Sequence, residues 1–175
     1  NRAWSVDEAV ACIRELERYD LEFVEQPCRT LDELRQVRGR VSTPIAADES
    51  VASARAVRRA VEAEACDVVN VKLASAGGFK PAREALRLAR SNGLGAFLSS
   101  TLDGPWGIAA ALQLAAAEDL QLACGLATLE LFDSPLARVL PGPVNGTLKV
   151  PTGPGLGVDV DEELLGELVA KSSYD

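Results

Sequence analysis

Three ionisable residues, Glu25, Asp48 and Lys72, each close a short β-like run of this sequence. The runs read Leu21-Glu22-Phe23-Val24-Glu25, Pro44-Ile45-Ala46-Ala47-Asp48 and Val68-Val69-Asn70-Val71-Lys72. The charges lie 23 and 24 residues apart (48 minus 25, 72 minus 48), the length of one strand-plus-helix unit. In parallel α/β folds the C-terminal ends of successive strands share one rim, and ligands bind there. Two acids and a lysine on that rim predict a metal site with an acid/base group beside it. Hard oxygen donors without a Cys or His partner suit Mg²⁺, for which Mn²⁺ can substitute, and a third carboxylate is expected. The competing explanation is an ion-pair network that only supports the loops. Charges on three consecutive apolar strand ends speak against it, because such positions seldom carry a charge without a function or a partner.

Neighbouring residues divide by strand alternation. Glu49 follows Asp48 and is expected to point elsewhere, in a supporting or loop role. Glu22 alternates away from Glu25, toward helices or solvent. Asp67 opens its run and belongs on the opposite, structural rim. Ser99 and Ser100 lack an activating base, since the sequence contains no histidine; a hydrogen bond to substrate is the expected role. Gly77-Gly78 precedes a helical stretch and reads either as an anion site or as a tight turn.

The elements that must hold these groups follow from periodicity and caps. Ser5-Val6-Asp7-Glu8 and Thr30-Leu31-Asp32-Glu33 have the form of capping boxes. They predict helices from there to about Tyr19 and to near Gly39. Further helices are expected over 53–65, 81–91 and from Pro105 onward. Strands are expected at 21–25, 45–48, 67–72, 95–99 and 120–125. Five strand-then-helix steps indicate parallel βαβ units, and nearly all-apolar strands indicate a sheet covered on both faces. A helix before the first strand favours part of a barrel over an open sheet. Residues 126–157 hold five of the nine prolines, with a β-like piece at 147–150. An acidic helix is expected over 161–170.

Bulk composition narrows the class. At 175 residues, 47% hydrophobic and 25% charged, the chain has the balance of a globular protein. A net charge of −8 argues against a nucleic-acid partner. No apolar run approaches membrane-spanning length, and no signal-peptide pattern opens the sequence. Cys12, Cys28, Cys66 and Cys124 are scattered among aliphatic residues, which predicts reduced thiols in a cytoplasmic protein.

The strings Phe23-Val24-Glu25-Gln26-Pro27, Pro44-Ile45-Ala46-Ala47-Asp48-Glu49-Ser50 and Asn70-Val71-Lys72-Leu73 resemble the enolase superfamily, in its muconate-lactonizing branch. Ser99-Ser100-Thr101-Leu102 and Ala123-Cys124-Gly125-Leu126-Ala127-Thr128 resemble the actinobacterial dehydratases of menaquinone biosynthesis in that branch. The resemblance implies an α/β fold, the C-terminal portion of a (β/α)7β TIM-like barrel, over residues 1–130. Residues 131–175 would be a C-terminal tail packing on the barrel and the capping domain. It implies Glu25 and Asp48 as Mg²⁺ ligands, Lys72 as one of two catalytic lysines, and Asn70, Ser99, Ser100 and Gly125 at the substrate.

The implied chemistry is removal of a proton α to a carboxylate followed by loss of water, on a small-molecule carboxylate. Lys72 is expected to stabilise the intermediate. Cycloisomerase and N-acylamino-acid racemase activities reuse the same groups and stay open, as does a non-catalytic barrel fragment. By the same resemblance, Asn1-Arg2 continues an Asp-x-Asn-Arg string. The first metal ligand and the partner lysine would then lie upstream, and residues 1–175 alone are expected to be inactive. Oligomeric state has no signature in the sequence.

Overall fold

The computed structural model describes residues 1–159, 161–163, 165 and 166. Helix α1 (Val6–Leu16) starts at the capping box foreseen for it. Glu8 N–H donates to Ser5 Oγ at 3.4 Å, and Ser5 N–H donates to the Glu8 carboxylate at 2.8 Å. Thr30 and Glu33 cap α2 (Leu31–Arg38) in the same way, at 3.2 and 2.8 Å. Each box satisfies amide groups that the first helical turn would leave unpaired, and its loss costs about 1 kcal/mol.

Four strands, β1 (Val24–Glu25), β2 (Ile45–Ala47), β3 (Val68–Lys72) and β4 (Gly95–Ser99), form one parallel sheet in sequence order. Helices α2, α3 (Ala54–Glu62) and α5 (Phe79–Ser91) make the crossovers, and α6 (Pro105–Ala117) follows β4. Between β3 and α5 the chain inserts a one-turn helix, α4 (Leu73–Ala76), where only a loop was expected. Gly77 and Gly78 form the turn after it, at φ 93° and 106°. Their N–H groups donate to Ala74 and Leu73 carbonyls, so the tight-turn reading of this pair is the correct one.

The fifth expected strand is reduced to a single parallel bridge, Ser99 to Gly125. A strand at a sheet edge has a ladder on one side only, and 120–125 is alternately half-buried and exposed. The β-like piece at 147–150 shrinks likewise to an antiparallel bridge between Val144 and Thr147. The acidic helix expected over 161–170 lies mostly outside the described residues; 162, 163, 165 and 166 are helical.

The sheet separates two cores by strict alternation. Ile45, Ala47, Val69, Val71, Ala96 and Leu98 point to the helices, where Ile13, Leu34, Val57, Leu86 and Ile108 meet them in one large cluster. Ala46, Val68 and Phe97 point the other way and pack with Phe23, Leu122 and Cys124. The Phe23 and Phe97 rings stack with centroids 5.3 Å apart. Because side chains alternate with a period of two, Glu25, Asp48, Asn70, Lys72 and Ser99 continue this second face toward the strand ends. Each fully buried aliphatic side chain of the first cluster contributes about 1.5–3 kcal/mol. Asp67 sits at the opposite end, as expected: it accepts from Arg38 Nε at 2.8 Å and from Ile45 N–H at 2.9 Å. All four cysteines are free, with Cys28 and Cys66 buried. Burial pushes the Cys66 thiol up to about 11.

Candidate functional site

Glu25, Asp48 and Lys72 converge at the C-terminal ends of β1, β2 and β3. Register makes this unavoidable: Glu25 pairs with Ala46, and Ala46 with Val68, so Asp48 and Asn70 stand two residues further along the same face. Lys72 Nζ donates to Asp48 Oδ2 at 2.6 Å, and Asp48 is only 6% exposed. Asn70 Nδ2 donates to Glu25 Oε1 at 3.4 Å, and Ser99 Oγ donates to Asn70 Oδ1 at 2.7 Å. A chain of hydrogen bonds therefore runs from β4 through β3 to the carboxylate on β1.

The electrostatics are out of balance in favour of negative charge. Two carboxylates share one lysine in a half-dry setting. Burial first, and then the neighbouring Asp48 charge, hold the Glu25 carboxyl above its ordinary value; the Asn70 hydrogen bond and Lys72 only partly offset them. A divalent cation would supply the missing positive charge, and the oxygen donors present suit Mg²⁺ or Mn²⁺. The chemistry of the donors fits such an ion, which Glu25 and Asp48 would hold. Among the described residues no group of three or more His, Cys, Asp or Glu side chains is placed to hold a metal. Water and substrate oxygens are the usual remainder of a Mg²⁺ shell.

A cavity of about 310 Å³ opens beside the pair, lined by Asp48, Glu49, Ala52, Asn70, Lys72, Ser75 and Thr101. Glu49 was expected to point elsewhere, yet it lines this cavity. The short 3₁₀ turn that begins at Glu49 bends the chain immediately after Asp48 and overrides strand alternation. Its Oε2 has no hydrogen-bond partner, and Arg2 Nε lies 3.8 Å away. Glu22 is exposed, as alternation predicts.

The remaining expected residues stand around the rim without joining the charged trio. Ser100 Oγ lies 2.8 Å from Thr128 Oγ1, and Ser100 N–H donates to the Gly125 carbonyl at 3.0 Å. Gly125 N–H donates to the Leu98 carbonyl at 2.8 Å. A Cβ on Gly125 would meet Ser99 Cβ at 3.0 Å, so a side chain here would crowd the bridge to β4. The sequence reading assigned no role to Gln26, the buried polar residue that follows Glu25. Its position next to a strand-end acid, in a run with no other polar side chain before Cys28, was the available signal.

Comparison with known proteins places these features in a family. A model of the enolase C-terminal domain-like family matches residues 1–164. The chain is 48% identical to an o-succinylbenzoate synthase of Thermobifida fusca over 169 residues, covering 96% of this chain and 51% of that protein. It is 42% identical to an o-succinylbenzoate synthase of Mycobacterium bovis over 152 residues, covering 86% and 45%. The chain thus spans about half the length of the curated relatives it matches. The crystal structure of a dipeptide epimerase from Enterococcus faecalis, complexed with Mg and the dipeptide L-Leu-L-Tyr, superposes with a TM-score of 0.83. That pair is 30% identical, over 91% of this chain and 46% of the epimerase. With sequence and backbone in agreement along nearly its whole length, the chain belongs to the enolase C-terminal domain-like family.

Proposed function

We propose that this chain is the barrel part of an o-succinylbenzoate synthase, a lyase of menaquinone biosynthesis in the cytoplasm. The reaction is dehydration of 2-succinyl-6-hydroxy-2,4-cyclohexadiene-1-carboxylate to 2-succinylbenzoate. One observation carries the reading: two carboxylates and a lysine meet on one strand-end rim, in a chain 48% identical to a protein of that name.

A proton α to a carboxylate is too weakly acidic for a lysine alone. Glu25 and Asp48 would hold a divalent cation, which would supply positive charge against the negative charge developing on the substrate carboxylate, an effect of several kcal/mol. In the full-length protein a second lysine would take the proton, and this chain's own residues orient the site and stabilise the charge that develops. Lys72 lies against Asp48, the arrangement of an ammonium, which favours stabilising the enediolate over taking the proton. Asn70 and Ser99 hold Glu25 in place, while Ser100 and Gly125 face the substrate. Phe23 and Phe97 stack on the same face nearer the strand starts and form its apolar floor. The reading of 131–175 as a tail on the barrel is supported among the described residues by Gln113 Nε2 on α6, which donates to the Pro151 carbonyl at 2.6 Å.

The full-length protein, incubated with the cyclohexadiene substrate and Mg²⁺, is expected to release the aromatic 2-succinylbenzoate. Racemisation of an N-acylamino acid or epimerisation of a dipeptide, with no aromatic product, would overturn the synthase reading and leave the metal site standing.

A further inference from the structure

Gln26 is completely buried, and every hydrogen-bonding position of its side chain is used. Nε2 donates to the Cys28 carbonyl at 2.9 Å and to Ser50 Oγ at 2.8 Å. Oε1 accepts from Asp48 N–H at 2.9 Å and from Ser50 N–H at 3.3 Å. An amide offers two donors and two acceptor lone pairs, so the count closes. The backbone of the same residue donates to the Ala46 carbonyl and accepts from Arg2 N–H, both at 2.8 Å. Its φ of 38° lies in the left-handed region, which a non-glycine side chain keeps only where its surroundings impose it.

The place of these bonds matters more than their number. β1 ends at Glu25 and β2 at Ala47, so Asp48 lies just beyond the last rung of the ladder. Two like charges at that point repel, and backbone pairing between the two segments ends with the Gln26 N–H to Ala46 carbonyl bond, leaving the N–H of Asp48 without a backbone partner there. The Gln26 amide takes the place of the missing rung: it grips the N–H of Asp48 itself from the residue that follows Glu25. We infer that Gln26 is a positioning residue that sets the separation of the Glu25 and Asp48 carboxylates, and through it the affinity for a divalent cation. This rests on the reading that the two carboxylates hold such a cation.

The test titrates the full-length protein with Mn²⁺, read by electron paramagnetic resonance, alongside thermal melting. Gln26→Met keeps the length of the side chain and removes all four bonds. It is expected to weaken Mn²⁺ binding at least about tenfold, as when a group that holds a metal ligand in place is lost. Gln113→Met, which loses the bond to Pro151 far from the rim, serves as the control and is expected to bind as the parent does. Equal affinity in Gln26→Met and the parent overturns this inference alone. So does a loss matched by Gln113→Met at equal melting temperature. No Mn²⁺ binding by the parent overturns the metal reading and this inference with it. If Gln26→Met does not fold, Ser50→Ala decides: it frees the Gln26 amide to roll and is expected to weaken binding about threefold, the worth of one neutral hydrogen bond. Unchanged affinity there overturns the inference.

Discussion

On the helix side of the molecule, Glu118 sits among Arg83, Arg87 and Arg90, at 2.7, 3.1 and 3.9 Å. On the strand-end rim, Glu25 and Asp48 share the single Lys72. The side chains are of the same kinds and their proportions are reversed. One carboxylate with three cations is over-satisfied: the Arg87 hydrogen bonds, with the Arg87 and Arg83 charges, hold the Glu118 carboxyl below its ordinary value. Two carboxylates with one cation are under-satisfied, and Glu25 is held above its own. The first cluster ties α5 to the end of α6 and needs nothing more. The second is left with an excess of negative charge that a proton on Glu25 or an added cation would neutralise. Charge balance, more than the presence of charge, separates a structural cluster from a binding site.

Lys72→Ala gives the largest expected difference between the two clusters. Removing a positive group that faces developing negative charge lowers kcat of the full-length protein by about 10²–10³-fold. Arg87→Ala is expected to leave kcat unchanged. A comparable drop in both would erase the distinction. Next in size, Glu25→Gln is expected to weaken Mn²⁺ binding by about 100-fold or more, beyond the loss of a merely supporting partner. Its melting temperature should hold or rise, because the ionised form is disfavoured where it stands. Glu118→Gln is expected to do the reverse. Cation affinity stays, while stability falls by about 1–2 kcal/mol, a buried-pair cost reduced by the exposure of the arginines. Calorimetry and metal titration on the same two variants read both halves of that exchange.

The smallest effect is in pH, and its sign differs between the clusters. Glu118 has a lowered folded-state value, so its contribution is present above its unfolded value near 4.5 and is lost as pH falls through the folded value. Glu25 has a raised one, so the folded state holds a proton above 4.5 that the unfolded chain has released. Stability then declines as pH rises through that window, and cation affinity climbs across it as the proton leaves. Glu118→Gln should flatten the acid side of a stability–pH curve, and Glu25→Gln the side above 4.5. Curves that flatten on the same side would contradict the assignment.

Much of this was legible in residue order. A charge at the end of an apolar run is costly and visible, so Glu25, Asp48 and Lys72 announce themselves, and strand alternation puts them on one face. Capping boxes at Ser5 and Thr30 mark helix starts to within a residue because the pairing is local. The reduction of 120–125 to a bridge was not legible, since what a strand lacks at an edge is a neighbour, not a residue type. Glu49 was misdirected by alternation because the 3₁₀ turn after β2 depends on how the loop packs. Gln26 was hidden for the same reason. Its four side-chain bonds reach residues 28, 48 and 50, and its place beside a strand-end acid marks it without declaring that it will turn inward at a positive φ.

The sheet runs β1-β2-β3-β4, each strand beside its predecessor in the chain. A polypeptide made from its N-terminus therefore never has to open a finished pair to insert a later strand. Each new strand emerges to find one edge waiting, and the loop it must close is short and nearly constant, a modest and repeated entropic cost. The order of arrival also schedules the charges. Pairing β1 with β2 brings Glu25 to Asp48, and Lys72 joins them only when β3 docks in turn. The stage at which two strands have formed and the third has not is thus the most repulsive in assembly, and an ion from solution would ease it most.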